Sequence, residues 1–175
     1  MHHLLLITLK APADADSATV RCDVYDRLME DNSFVGEGGR FGSPLCDWFV
    51  IGGRWSGLLA EIVVGDSFKN AVHARFPKLA GDSWPQSFVD RHRAELDALW
   101  RLHGGTGPSP YTRSGYEDHG FPDDAMPLTI ELYEALLAKY QGDSIGADGY
   151  ADLDDEELQP DFVGRKWLVV VDYHN

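Results

Sequence analysis

Four apolar runs along the chain predict β-strands. Leu4–Leu9 lies near one end of the chain and Trp167–Tyr173 near the other. Between them, Cys46–Ile51 and Leu58–Val64 are separated by the pair Gly52-Gly53, which supplies the positive φ angles that a tight hairpin needs. We therefore expect four strands, with the second and third joined as a hairpin.

Helical spacing of apolar residues marks three further segments. Ser17 is a suitable N-cap for a first helix of about 14 residues. Ser83 and Pro85 signal the start of a second helix, and Thr129 signals the start of a third. The apolar stripes of these helices are, in order, Val20, Val24 and Leu28; Phe88, His92, Leu96 and Leu99; and Leu132, Leu136 and Tyr140.

The elements follow the order β-α-β-β-α, then a loop, the third helix, an acidic loop and the last strand. This order predicts the α+β class, with a ferredoxin-like antiparallel sheet (βαββαβ) that carries a helical and acidic-loop insertion before its last strand. We expect residues 1–175 to form a single domain, with insertion loops at 104–127 and 143–164. Another α+β sandwich would fit the same order of elements.

The charge of the chain is concentrated in one segment. The net charge is −14, and residues 114–164 contain 14 acidic side chains and a single basic one, Lys139. Such a field repels phosphates, so we expect no direct binding of nucleic acid. A basic protein surface is the partner that it would attract. A solvated flank that aids solubility is the simpler interpretation.

Hydropathy and cysteine content bear on the location of the protein. No apolar run approaches the roughly 20 residues that span a bilayer, so we expect no membrane association. The two cysteines, Cys22 and Cys46, fit a reducing compartment. We therefore predict a cytoplasmic protein.

The expected topology brings three separated segments to one edge of the sheet. The first strand begins with His2 and His3, the turn after the second strand contains Gly52–Trp55, and the last strand ends with Asp172 and His174. Because side chains alternate along a strand, Asp172 and His174 share a face of the sheet. One of the two N-terminal histidines shares that face with them.

The residue types at this edge support several kinds of chemistry. Imidazoles and a carboxylate are ligands of non-haem iron and similar divalent metals. The same groups support acid–base catalysis, with the carboxylate orienting a histidine, and an arginine holds carboxylates or phosphates. The candidate metal ligands are His2, His3, His174 and Asp172; the candidate catalytic residues are Asp172, His174 and Arg54; the candidate ligand-binding residues are Trp48, Gly52, Gly53, Trp55 and Arg113.

Each assignment has a structural alternative. The two N-terminal histidines could be flexible terminal residues, and Asp172 and His174 could be a surface pair at the chain end. Arg54, between two tryptophans, would also form a structural cation–π stack. Tyr111–Arg113 could belong to a lid over the site or to a plain turn.

Two segments carry a resemblance to other proteins. Trp48–Trp55 reads Trp-Phe-Val-Ile-Gly-Gly-Arg-Trp, and Val169–His174 reads Val-Val-Val-Asp-Tyr-His. Together they resemble a group of small proteins from bacteria, notably actinobacteria, and from their phages, which share a Trp-[Tyr/Phe]-x-Ile-Gly-Gly-Arg-Trp core and a Val-Val-Asp-x-His ending. The resemblance implies no catalytic role, and the link to phages implies an inhibitor or counter-defence protein.

Two functions follow from these features. The first is a small-ligand-binding domain or small enzyme with a polar site at one end of the sheet, which takes a small anionic or planar ligand and depends on a divalent metal if the histidines are ligands. The alternative is a non-enzymatic acidic interaction protein, of the phage-inhibitor or counter-defence type, that binds a basic protein surface. The edge strands of an open sheet also favour a homodimer.

Overall fold

A computed structural model describes residues 2–12, 14–31, 34, 46, 48–77, 85–113, 120–139 and 149–174. The chain divides into two compact units, Met1–Leu59 with Gly115–Asn175, and Ala60–Ser114. Within the described residues the protein is α+β, with a mixed five-stranded sheet and five α-helices. The α+β class is therefore confirmed, and the single-domain organisation stays a prediction.

The sheet belongs to the first unit. Its strands are β1 (His2–Lys10), β2 (Trp48–Ile51), β3 (Ala125–Pro127), β4 (Tyr150–Asp152) and β5 (Lys166–His174). The order is β2-β5-β1-β4, and β3 also pairs with β5. β1 and β5 run antiparallel over their whole length, from His2 opposite His174 to Lys10 opposite Lys166, whereas β4 is parallel to β1.

Continuous apolar runs place β1 and β5 at the centre of the sheet. Leu4–Leu9 and Leu168–Tyr173 are buried on both faces, which is why neither strand alternates between apolar and polar residues. Helix α1 (Ser17–Glu30) buries Val20, Val24 and Leu28 against one of these faces. The predicted helix is confirmed, but Asp16 rather than Ser17 caps it, by accepting from the Thr19 N–H at 2.8 Å.

The expected third strand is wrong. Leu58–Val64 forms helix α2, which begins in the first unit and continues into the second. A short apolar run cannot be assigned to strand or buried helix from periodicity alone. Gly52-Gly53 accordingly does not make a hairpin: the chain turns through a 3₁₀ segment over Gly53–Trp55 and enters the helix.

The ferredoxin-like strand order is not confirmed. Without a third strand after the turn, β2 pairs with β5. Two short strands come instead from the predicted insertion loops: β3 lies at the end of the 104–127 loop, and β4 lies within the 143–164 loop. Each has only three residues, too few for a periodic signal.

The remaining helices are α3 (Asp66–Arg75), α4 (Gln86–Leu102) and α5 (Ile130–Lys139). Helix α4 follows Pro85 and helix α5 follows Thr129, as predicted, whereas α3 was not predicted; Ser83 and Tyr140 lie outside the described residues. The second unit has its own core, built from Phe68, Val72, Leu96 and Trp100. None of the helices in the described part of the chain is long and apolar enough to cross a lipid bilayer.

Candidate functional site

Three aromatic side chains cluster at the end of the sheet. His2 of β1 and Trp48 of β2 both pair with His174 of β5, so all three project from the same face. The ring centroids of His2 and His174 are 5.3 Å apart, and those of His2 and Trp48 are 5.2 Å apart. Trp48 and His174 are parallel to within 3° at a centroid distance of 5.4 Å.

Asp172 occupies the next position on this face, opposite Leu4 and Val50. Its side chain is fully buried. One carboxylate oxygen lies 2.9 Å from His2 Nδ1, and the other accepts from the Arg54 backbone N–H at 2.9 Å. An ionised carboxylate only accepts, so with Asp172 ionised the proton of a neutral His2 ring lies on Nδ1 and the lone pair lies on Nε2.

We call His2, Trp48, Arg54, Asp172 and His174 the rim. The sequence predicted His2, Arg54, Asp172 and His174 at one edge, and they lie together because β1 and β5 pair in full register. Trp48 joins them because β2 runs antiparallel to β5, which places the start of β2 opposite His174. Only one of the two N-terminal histidines belongs to the rim. His3 is on the opposite face, where it stacks on Tyr173 at 5.1 Å.

The glycine pair adjoins two buried carboxylates. Gly52 and Gly53 have φ angles of 77° and 55°, which favour glycine. A Cβ on Gly52 would lie 2.1 Å from Asp124 Oδ2, and one on Gly53 would lie 2.4 Å from Asp172 Cβ. A side chain at either of these predicted ligand-binding glycines would therefore collide with an aspartate, so the glycine pair leaves space for Asp124 and Asp172.

Asp124 is a residue that sequence reasoning missed. It is fully buried and accepts hydrogen bonds from the Phe121 N–H at 2.7 Å, the Ser56 hydroxyl at 2.8 Å and the Gly57 N–H at 2.8 Å. Burial raises the pKa of Asp124, and these hydrogen bonds oppose the increase. Asp124 thus holds the segment that carries Arg54, and only the turn-forming Pro122 nearby marks the region in the sequence.

The two other predicted ligand-binding residues differ in their surroundings. Trp55 is half-buried, and its Nε1 atom is buried with no hydrogen-bond partner among the described residues. Arg113 lies in the second unit, where its guanidinium donates to the Pro108 carbonyl at 3.2 and 3.1 Å. The preceding Thr112 donates to Asp97 at 2.7 Å, so the predicted lid segment is anchored within its own unit.

A second polar cluster surrounds Lys166. Its side chain is 1% exposed, and its ammonium donates to Asp152 at 2.5 Å, to Glu156 at 2.8 Å and to Asp154 at 3.2 Å. Burial alone would lower the pKa of Lys166, but the three carboxylates outweigh burial and raise it. These carboxylates are the one group of three close-set ligand side chains found in the described residues, and the Lys166 ammonium binds all three of them.

The acidic segment also contains an open cleft of about 250 Å³. Its lining residues are Glu156, Glu157, Gln159, Asp161, Phe162 and Arg165. The cleft shares no residue with the rim. Two of its carboxylates are already paired, since Glu156 binds Lys166 and Asp161 binds Arg165.

Comparisons with known proteins identify no relative. No family model matches the chain, and neither the curated proteins nor the solved structures give a match.

Proposed function

We propose that the rim is the binding site for a small ligand, and that His2, oriented by Asp172, is the group that acts on it. The observation that carries this proposal is the 2.9 Å bond between His2 Nδ1 and a fully buried carboxylate. A histidine held in this way presents its second nitrogen in a fixed direction and tautomer. Such orientation has a cost in conformational freedom, and a binding or catalytic role explains it.

The neighbouring side chains support a planar or anionic ligand. Trp48 is 36% exposed, although it is large and apolar, and it lies parallel to His174. Exposed aromatic rings of this kind stack on flat ligands. The Arg54 side chain is also exposed while its backbone is fixed by Asp172, so its guanidinium is available to a carboxylate or phosphate.

The same arrangement is suited to proton transfer. An imidazole that donates to a buried carboxylate through Nδ1 can accept or release a proton at Nε2. A small enzyme that uses His2 in acid–base chemistry is therefore the catalytic form of the proposal. His174, 5.3 Å from His2, and Arg54 would then contact the substrate.

A thermal-shift screen tests the proposal directly. The full-length protein without a tag is screened against nucleotides and small phosphorylated or carboxylated metabolites. We expect a ligand-specific rise in melting temperature that is lost in Arg54→Ala and retained in Arg91→Ala, a matched exposed arginine on α4. A ligand whose effect persists in Arg54→Ala and in His174→Ala would contradict the assignment to the rim.

The charge distribution favours a second candidate, an acidic interaction protein of the phage-inhibitor or counter-defence type. The first unit contains 23 acidic and 8 basic residues, against 6 and 7 in the second. The exposed carboxylates Asp155 and Glu157 are the ones to neutralise, since Asp154 and Glu156 are bound to lysines. If a basic protein partner is found, Asp155→Asn with Glu157→Gln should weaken its binding, and added salt should do the same.

A further inference from the structure

Asp172 is a buried carboxylate that no lysine or arginine side chain of the described residues pairs with. Among the described residues its hydrogen-bond partners are His2 Nδ1 and the Arg54 N–H. The buried carboxylate of Asp152, by contrast, binds the Lys166 ammonium. A buried charge is costly unless an opposite charge compensates it. Protonation of His2 would supply that charge, and so would a metal cation bound on the far side of a neutral His2 ring.

The second ring nitrogen of His2 is the place where such a cation would bind. A histidine that ligates a metal through one nitrogen commonly donates its other N–H to a carboxylate, which fixes the ring and increases its basicity. The bond from His2 Nδ1 to Asp172 has this form. His2 is therefore prepared for coordination through Nε2.

The position of His174 supplies a second donor. A zinc–nitrogen bond of about 2.0–2.1 Å places a ring centroid about 3.2 Å from the ion, and two rings at a tetrahedral angle then have centroids about 5 Å apart. The observed separation of the His2 and His174 rings is 5.3 Å, with planes at 75°. Paired positions on adjacent strands hold the two rings at this distance.

We infer that His2 and His174 bind a first-row transition-metal ion such as Zn²⁺, with Asp172 as the outer carboxylate that orients His2. The inference rests on the proposed function, because it names what the rim holds: the remaining coordination positions take water and the anionic group of the small ligand. His3 has no part in this site, since it lies on the opposite face against Tyr173.

Binding of Co²⁺, a spectroscopic substitute for Zn²⁺, tests the inference in the full-length protein. We expect visible absorption bands of a bound ion that saturate with added Co²⁺, and competition by Zn²⁺. His2→Gln and His174→Gln should each lower the affinity at least tenfold, whereas the matched control His3→Gln should leave it unchanged. Asp172→Asn should weaken binding about 10–100-fold, as outer-shell substitutions do.

The possible outcomes separate the inference from the proposed function. Circular dichroism melting of each variant establishes that it is folded before its affinity is compared. Absence of Co²⁺ binding, or binding that is unchanged in both His2→Gln and His174→Gln, would overturn the metal assignment; the latter would direct attention to the Asp152, Asp154 and Glu156 carboxylates. If the metal assignment fails but a metabolite still raises the melting temperature of the metal-free protein in an Arg54-dependent way, the proposed function is preserved. If neither Co²⁺ nor any metabolite binds, the metal assignment and the proposed function are both contradicted.

Discussion

Gly52 lies directly against the carboxylate of Asp124. A Cβ on Gly52 would be 2.1 Å from Asp124 Oδ2, a distance too short for any side chain at this position. Gly53 stands in the same relation to Asp172, 2.4 Å from its Cβ. The glycine pair and the two buried aspartates are thus parts of one arrangement, which directs the chain from β2 into α2 and fixes the Arg54 N–H on Asp172.

Substitution of Gly52 by alanine should destabilise the protein strongly. The new Cβ meets Asp124, and the positive φ angle adds backbone strain; together these are expected to lower the free energy of unfolding by about 3 kcal/mol or more. Urea denaturation measures the change. Gly65→Ala is a matched control, because Gly65 has the same φ of 77° with nothing within 4 Å, so only strain applies there. Equal losses for both variants would exclude the steric explanation.

Asp124→Asn should loosen the segment that carries Arg54. The amide nitrogen that replaces one carboxylate oxygen must face a donor, either the Gly57 N–H or the Phe121 N–H and Ser56 hydroxyl. Each buried donor left unsatisfied costs about 1–3 kcal/mol. Amide hydrogen exchange at Gly57 should be faster than in the wild type, while the exchange rates of amides in the core of β1 should be unchanged. Unchanged exchange at Gly57 would show that Asp124 does not hold the segment.

Lys166→Met should be among the most destabilising single changes. Removing the ammonium leaves three carboxylates together, one of them buried, and breaking a buried ion pair from one side costs about 3–5 kcal/mol. Lys10→Met is the control: Lys10 also binds Glu156, at 2.8 Å, but it is half-exposed, and an exposed pair contributes at most about 1 kcal/mol. Chemical denaturation of both variants should give clearly different losses.

The Lys166 cluster also predicts an acid-dependent change in stability. Hydrogen bonds from the Lys10 and Lys166 side chains lower the pKa of Glu156 from its ordinary 4.5 to about 2. A carboxyl group whose pKa is lowered by folding contributes its full stabilisation when the pH is above its pKa in the unfolded chain. That contribution disappears as the pH falls toward its pKa in the folded protein. Glu156 therefore stabilises the fold above pH 4.5 and loses this effect between pH 4.5 and about 2.

Glu156→Gln isolates this contribution. The difference in unfolding free energy between wild type and variant should be constant above pH 4.5 and should shrink toward pH 2. Asp152 and Asp154 face the same ammonium, and Arg27 lies 3.6 Å from Asp154; all of these groups are present in both proteins. A difference that does not vary with pH would contradict the pKa assigned to Glu156.

The sequence predicted those strands and helices that a helical stripe or a long apolar run marks clearly. The β1 and β5 strands and helices α1, α4 and α5 follow directly from apolar runs and helical stripes. The proximity of His2, Asp172 and His174 was predictable because it depends on the first strand pairing antiparallel with the last, and this pairing does not require the expected third strand. Asp124 could not be predicted, since its donors include Ser56 and Gly57, nearly 70 residues away along the chain, and local composition does not show such contacts.

Substitution of Trp48 distinguishes a role in ligand binding from a role in packing. Its ring contacts His2 and His174 but is 36% exposed. A buried tryptophan contributes about 3–5 kcal/mol, and Trp48→Ala should lower the free energy of unfolding by much less than that. Trp100→Ala provides that comparison, because Trp100 is fully buried in the second unit. We expect Trp48→Ala to remain folded in thermal melts and to lose the response to a planar ligand. If it unfolds as readily as Trp100→Ala, the ring is a structural element of the sheet end, and stacking on a ligand no longer explains its exposure.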